Sequence, residues 1–253
     1  MFWIEQLTAA VSRYTNERDV PAIVVVDQSR SPSAAAHLAR LPRVTRVVSY
    51  EPDQAQFAAL GHDHPSSLDR VCREEHSTSH VIVMDSDAIP VRADWLDRVQ
   101  AVLAEADCCG AADRAKYGLT HPCLAVMPVS TARASNFSEG VVEVGLDTGR
   151  LVALRWAQAG LRVHILRGTR AFAGLKGELF LDGSLYHHGS GSFGGSDDVR
   201  LLARFDAWED GFFRARAMSG QFDLRATTRR TIAAGRRALR LLRRVRSQLS
   251  RVR

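Results

Sequence analysis

The sequence predicts an α/β fold built on a mostly parallel, doubly wound sheet, and three observations carry that prediction. Short apolar runs alternate with stretches whose apolar residues recur at helical spacing. Two of those runs, Ala22–Val26 and His80–Met84, end in polar loops that begin with aspartate, Asp27-Gln28-Ser29 and Asp85-Ser86-Asp87. The 253 residues, 45% hydrophobic and 25% charged, are enough for a sizeable core and exclude wholesale disorder.

The elements follow in chain order. Residues 2–18 read as an amphipathic helix with Ile4, Leu7, Ala10, Val11 and Tyr14 on one stripe. Pro21 introduces the first strand, 22–26, whose unbroken apolar character is that of a parallel strand covered on both faces. A helix at 32–41, a strand at 44–49, a helix at about 66–75 and the strand 80–84 come next. Helix 93–106 places Trp95, Leu96, Val99, Val102 and Leu103 inward. Beyond it, 123–128 reads as a strand, 130–144 as loop, 148–159 as a helix stopped by Gly160, and 161–166 as a strand. The Gly/Ser-rich segment 183–195 reads as a loop, and helices at about 197–218 and 228–252 finish the chain. No internal repeat is visible.

The formal net charge of +6 is unevenly spread. From Arg225 to Arg253 there are eleven arginines and no acidic residue; removing these eleven charges leaves the remainder at −5. Any attraction to an anionic partner therefore belongs to the tail. Ala238, Leu241, Leu242, Val245, Leu249 and Val252 form a stripe there among arginines, the pattern of an interfacial helix drawn to anionic lipid. The same stripe would also suit a helix packed on the body. Nucleic acid is disfavoured because the tail has no aromatic residue for stacking.

Cys72, Cys108, Cys109 and Cys123 show no CxxC spacing and read as small buried thiols in a reducing compartment. The start lacks a basic n-region and carries Glu5 in its apolar stretch, unlike a signal peptide. No apolar run approaches membrane-spanning length. The expectation is a cytoplasmic protein, peripheral at the inner face of the membrane if the tail binds lipid.

In an open α/β sheet, ligands bind outside the carboxyl ends of strands, where Asp27, Asp85 and Asp87 fall. A DxD pair closing a buried strand suits a hard divalent cation that neutralises a diphosphate, although an isolated DxD is also an ordinary turn or cap. The runs VVVDQSRSP, RVVSYEPDQAQ and VIVMDSDAIPVRADWL resemble the nucleotide-sugar half of GT-A fold glycosyltransferases (bacterial family-2-like). LDTGRLVALRWAQAGLRVHIL is similar to their acceptor-side helix, and the likeness spans about residues 20–195. It implies a GT-A-like catalytic domain over 1–195 and a helical extension over 196–253. One departure is that this chain opens with a helix (within 1–19) where the family begins with a strand, which leaves the nucleotide-base contacts open.

The resemblance also implies roles. Asp27 matches the nucleoside-contacting aspartate, and Asp85 and Asp87 match the DxD pair that meets ribose and Mn²⁺ or Mg²⁺. Asp147 falls where inverting members place the general base, and equally where an aspartate would cap a helix. His187, or secondarily His188, lies where several metal-dependent members add a late histidine to the metal sphere, near a mobile loop. Ser67 and Asp69, with His64, fall on the side of the donor phosphates and sugar. The pair His62 and His64 reads as surface, and His37, His76, His80, His121 and His164 as structural.

The activity so implied is transfer of a sugar from a nucleotide-sugar donor to a hydroxyl acceptor: a saccharide, a lipid-linked acceptor or a small molecule. Two other readings compete. A haloacid-dehalogenase-type phosphatase would use Asp85 and Asp87 as nucleophile and acid, with Lys176 and the Asp197-Asp198 pair following. A catalytically silent relative would act as a scaffold through its tail.

Overall fold

The computed structural model describes residues 2–15, 21–60, 62–112, 120–144, 146–170 and 177–189. These belong to one unit, within Met1–Phe172 and Lys176–Phe193. The other unit, Ala173–Leu175 with Gly194–Arg253, lies outside the described residues, and so do the expected helices 197–218 and 228–252 and the pair Asp197-Asp198.

The fold is mixed α/β. Helix α1 (Phe2–Tyr14) is followed by β1 (Ile23–Val26), α2 (Pro32–Leu38), β2 (Val44–Val48), α3 (Gln54–Leu60) and α4 (His64–Arg73). Strands β3 (His80–Met84) and β4 (Ala88–Pro90) flank the Asp85-Ser86-Asp87 turn, closed by the Ala88 amide donating to the Asp85 carbonyl at 3.0 Å. Then come α5 (Trp95–Glu105), β5 (Cys108–Ala112), β6 (Thr120–Pro128), α6 (Val129–Ala134), α7 (Val141–Val144), α8 (Val152–Gln158) and β7 (Val163–Leu166). Strands β8 (Thr169–Arg170), β9 (Glu178–Phe180) and β10 (Leu185–His187) complete the described part, with a 3₁₀ turn at Leu181–Gly183.

The expected mostly parallel, doubly wound sheet is corrected. Among the described residues the strands form three hydrogen-bonded sheets: a parallel pair β1-β2, a mixed sheet β3-β6-β5-β7, and an antiparallel sheet β4-β10-β9-β8. In the mixed sheet, β6 runs antiparallel to both β3 and β5, and only β5-β7 is parallel. The physical reason is local. Strand β6 is nine residues long and nearly all buried, so its apolar run is satisfied in an antiparallel sheet covered on both faces as well as in a parallel one. Apolar character alone does not fix strand direction.

The alternation of β6 separates two cores. Leu124 and Val126 face a cluster with Leu7, Val11, Trp95, Val99 and Phe180. Ala125 and Met127 face one with Val83, Phe137, Val152 and Trp156. Among the described residues Trp95 is the largest fully buried side chain, worth on the order of 4–6 kcal/mol by area, and its indole N–H donates to Thr15 Oγ1 at 3.1 Å. That bond ties α5 to the end of α1.

Other boundaries moved for identifiable reasons. The segment expected as loop at 130–144 contains α6 and α7, each of six residues or fewer and too short to show a helical stripe. The expected helix 148–159 begins only at Val152, because Thr148–Leu151 form a turn with Gly149 at φ +65°. Within the expected loop 183–195, Leu185–His187 is a strand.

Candidate functional site

Two antiparallel pairings bring distant residues to the DxD turn. Strand β10 pairs with β4 so that His187 opposes Ala88, and the His188 amide donates to the Asp87 carbonyl at 3.1 Å. Strand β3 pairs with β6 up to Met84 and Leu124, so the start of β6 lies beside the end of β3. There the β5-β6 register shifts between Gly110 and Ala111, passing over Pro122–Leu124 on β6. Pro122 has no N–H for a ladder, and such irregularities re-aim neighbouring side chains.

The outcome is a compact group of oxygen, nitrogen and sulfur donors. His187 Nε2 is 3.4 Å from Asp87 Oδ1 and 3.9 Å from Asp85 Oδ2. His121 reaches both ways, its Nδ1 3.7 Å from Asp85 Oδ2 and its Nε2 3.5 Å from Asp147 Oδ2. The His121 and His187 rings lie 5.4 Å apart. Among the described residues, two overlapping triads can converge on a metal ion: Asp85, Asp87 and His187, and His121, Cys123 and His187.

Asp147 reaches this group on a turn anchored to β6, where Thr120 Oγ1 donates to the Gly149 carbonyl at 3.0 Å. Its hydrogen bond with His121 holds the carboxyl below the usual range; partial burial opposes this, and the Thr148 amide at 2.8 Å assists. Helix α8 is capped at Leu151, so of the two roles open for Asp147 the helix cap is corrected: it precedes the helix by a whole turn. His64, at the start of α4, is held below its usual value by burial, while the fields of Asp85 and Asp147 pull it back.

The adjacent histidines part company. His187 joins the carboxylates, whereas His188 stacks on Trp3 at 4.7 Å between ring centres and meets the Tyr186 hydroxyl through Nδ1 at 3.0 Å. Successive residues of a strand point to opposite faces, and here one face is the cluster and the other α1.

The remaining predicted residues lie elsewhere. Asp27 ends β1 with its amide bound to the Val48 carbonyl; Oδ1 accepts from the Ser29 amide at 2.9 Å. Its Oδ2 is buried with no hydrogen-bond partner among the described residues. Nearby, buried Asp63 accepts from Gln28 Nε2 at 3.3 Å and Arg30 Nη2 at 3.0 Å. Ser67 is buried in α4, its amide bound to the Asp63 carbonyl. Asp69 is also buried, and its carboxylate accepts from the Phe137 amide at 2.5 Å, the Ser138 amide at 3.2 Å and Ser138 Oγ at 2.6 Å.

Sequence reasoning missed His121 and Cys123. The available signal was His-Pro-Cys opening an apolar run, with two potential ligands on one strand. It carried no weight without the strand pairing that sets it beside Asp85.

Fold and site together define a mixed α/β protein with a carboxylate–imidazole–thiol cluster at converging strand ends. No family model matches the chain, and no curated protein matches it. Among solved structures, it is similar to a protein from Desulfovibrio desulfuricans G20 provisionally described as a nucleotide-diphospho-sugar transferase. The two are 11% identical, with 66% of this chain and 67% of that one covered and a TM-score of 0.42. That degree of likeness assigns neither a family nor an activity.

Proposed function

We propose that the protein is a metal-dependent glycosyltransferase of the GT-A kind, moving a sugar from a nucleoside-diphosphate donor to a hydroxyl acceptor. The observation that carries this reading is the convergence of Asp85, Asp87 and His187, with Asp147 reached through His121. Asp85 and Asp87 offer oxygens and His187 a nitrogen, a donor set that fits Mn²⁺ and, less completely, Mg²⁺. Such an ion neutralises charge building on the departing diphosphate.

The chain's own residues supply the rest. Asp27, with a buried oxygen that has no hydrogen-bond partner among the described residues, is suited to accept a hydrogen bond from the nucleoside. In an inverting reaction Asp147 takes the acceptor proton as the hydroxyl oxygen bonds to the sugar and the sugar–diphosphate bond breaks. In a retaining reaction it positions the acceptor. His121 orients Asp147, whose carboxylate is ionised at neutral pH. Asp69 holds the loop at Phe137–Ser138 rather than reaching for a donor. The arginine-rich segment 225–253 is proposed to draw the enzyme to anionic lipid at the inner membrane face, near a lipid-linked acceptor. No described helix is long and apolar enough to cross a membrane.

The test is calorimetric titration of the full chain with UDP, GDP, dTDP and CMP, with and without Mn²⁺. One nucleotide is expected to bind with heat that requires Mn²⁺, and the matching sugar nucleotides then identify the donor. No nucleotide binding under either condition, or undiminished transfer by Asp87→Ala, sinks the reading. Trapping by beryllofluoride in place of nucleotide binding would point to the phosphatase.

A further inference from the structure

The second triad has a different chemical character from the first. His121 and Cys123 on β6 and His187 on β10 offer two ring nitrogens and a sulfur, all within 4.8 Å of one another. Asp85 borders the same space through its contacts with both imidazoles, at 3.7 and 3.9 Å. Hard cations such as Mg²⁺ select all-oxygen sites, whereas imidazole with thiolate selects borderline-soft ions bound tetrahedrally. Donor atoms around a tetrahedral zinc stand roughly 3.3–3.8 Å apart, given bonds of about 2.0–2.3 Å. The distances between these donors thus exceed tetrahedral spacing by no more than about 1.5 Å.

We propose that His121, Cys123 and His187, with Asp85 as fourth ligand, form a site for a borderline-soft divalent cation such as Zn²⁺ or Co²⁺. Of the four cysteines, all buried, Cys123 alone belongs to a ligand group among the described residues. As a thiol Cys123 carries a proton that it must lose to become a ligand. Binding forms the metal–sulfur bond and releases that proton to solvent, leaving a thiolate whose charge the cation neutralises. His187 is common to both triads, so an ion on the Cys123 side withdraws it from Asp87. Soft and hard ions therefore exclude one another.

The inference concerns metal chemistry alone, and its test uses no nucleotide. Co²⁺ is titrated into the full chain and followed by absorption. The expected result is visible bands of tetrahedral cobalt with a thiolate-to-cobalt charge-transfer band in the near ultraviolet, both bleached by Zn²⁺. Asp87→Ala keeps the charge-transfer band and Cys123→Ser loses it. Cobalt binding without that band, persistence of the band in Cys123→Ser, or no cobalt binding overturns the proposal. If Cys123→Ser shows no cooperative melt, His121→Asn decides. It is expected to weaken Co²⁺ binding by at least the roughly tenfold that loss of even an outer metal partner costs, and unchanged affinity overturns the site. Mn²⁺-dependent nucleotide binding without a charge-transfer band would sink this inference alone; the converse result would sink only the transferase reading.

Discussion

Asp69 and Asp87 are equally buried, at 4% and 5% exposure, yet their surroundings differ in kind. Asp69 accepts from two amides and a hydroxyl of one loop, so its charge is met by protein donors. Asp87 shares its corner with a second carboxylate and the His187 imidazole. Carboxylates gathered this closely repel one another unless a cation or proton intervenes. Burial alone therefore does not mark a site; the difference is that Asp69 is held by the donors of one loop, whereas Asp87 lies among side chains that can each ligate a metal.

The largest test of that contrast is Asp87→Ala, expected to cut metal-dependent transfer on the order of 10³-fold by removing several kcal/mol of charge stabilisation. A melt of the variant checks that the fold survives. Asp69→Ala is expected to do the opposite: about 2–3 kcal/mol of stability lost in denaturant titration, because the buried Phe137 amide and the half-buried Ser138 amide lose their acceptor while Ser138 Oγ keeps Asn136 Oδ1, with Mn²⁺ affinity unchanged. If Asp69→Ala weakened the metal without destabilising the chain, the contrast would collapse.

Finer distinctions come from the β10 strand. His187→Ala should weaken Mn²⁺ binding roughly ten- to hundredfold, whereas His188→Ala should lower the melting temperature through its lost Trp3 and Tyr186 contacts and leave the affinity within about twofold. Gly177 is pinned by close approach: a Cβ there would meet the His187 carbonyl at 2.1 Å and the Tyr186 ring at 2.6 Å. Gly177→Ala should cost about 1–3 kcal/mol and loosen Mn²⁺ binding by shifting β10, read by melting and titration.

The smallest effect is at Asp94, which accepts from Ser184 Oγ at 2.7 Å and so ties α5 to the turn before β10. Partial burial would raise its carboxyl, but the bonds from Ser184 and Arg98 outweigh it and hold it low. Its contribution is therefore present above the unfolded value near pH 4 and lost as pH falls through the folded value. The stability gap between the wild type and Asp94→Ala should be on the order of 1 kcal/mol at neutral pH and close in acid, measured by melts across pH.

How much was legible can be argued from particular residues. The strand 80–84 was readable because an apolar run before Asp85-Ser86-Asp87 is a local signal. Likewise Trp95, Val99 and Val102 share an inner stripe that announces α5. Strand β10 was not readable, since three residues beside glycines carry no periodicity and owe their extension to pairing with β4. His121 looked structural because it lies 36 positions from Asp85 in the chain, a gap the β3-β6 pairing closes.

The sequence by itself determined the strand before Asp85, helix α5 and where the DxD turn lies, because those depend on neighbours within a few residues. It also determined the charge division between a body at −5 and an arginine segment at +11. Tertiary structure alone decided strand direction, that His187 rather than His188 faces Asp85 and Asp87, and that His121 and Cys123 lie close to His187. Those outcomes depend on hydrogen-bonded register between segments far apart in the chain, and a one-residue slip in register turns every side chain to the opposite face.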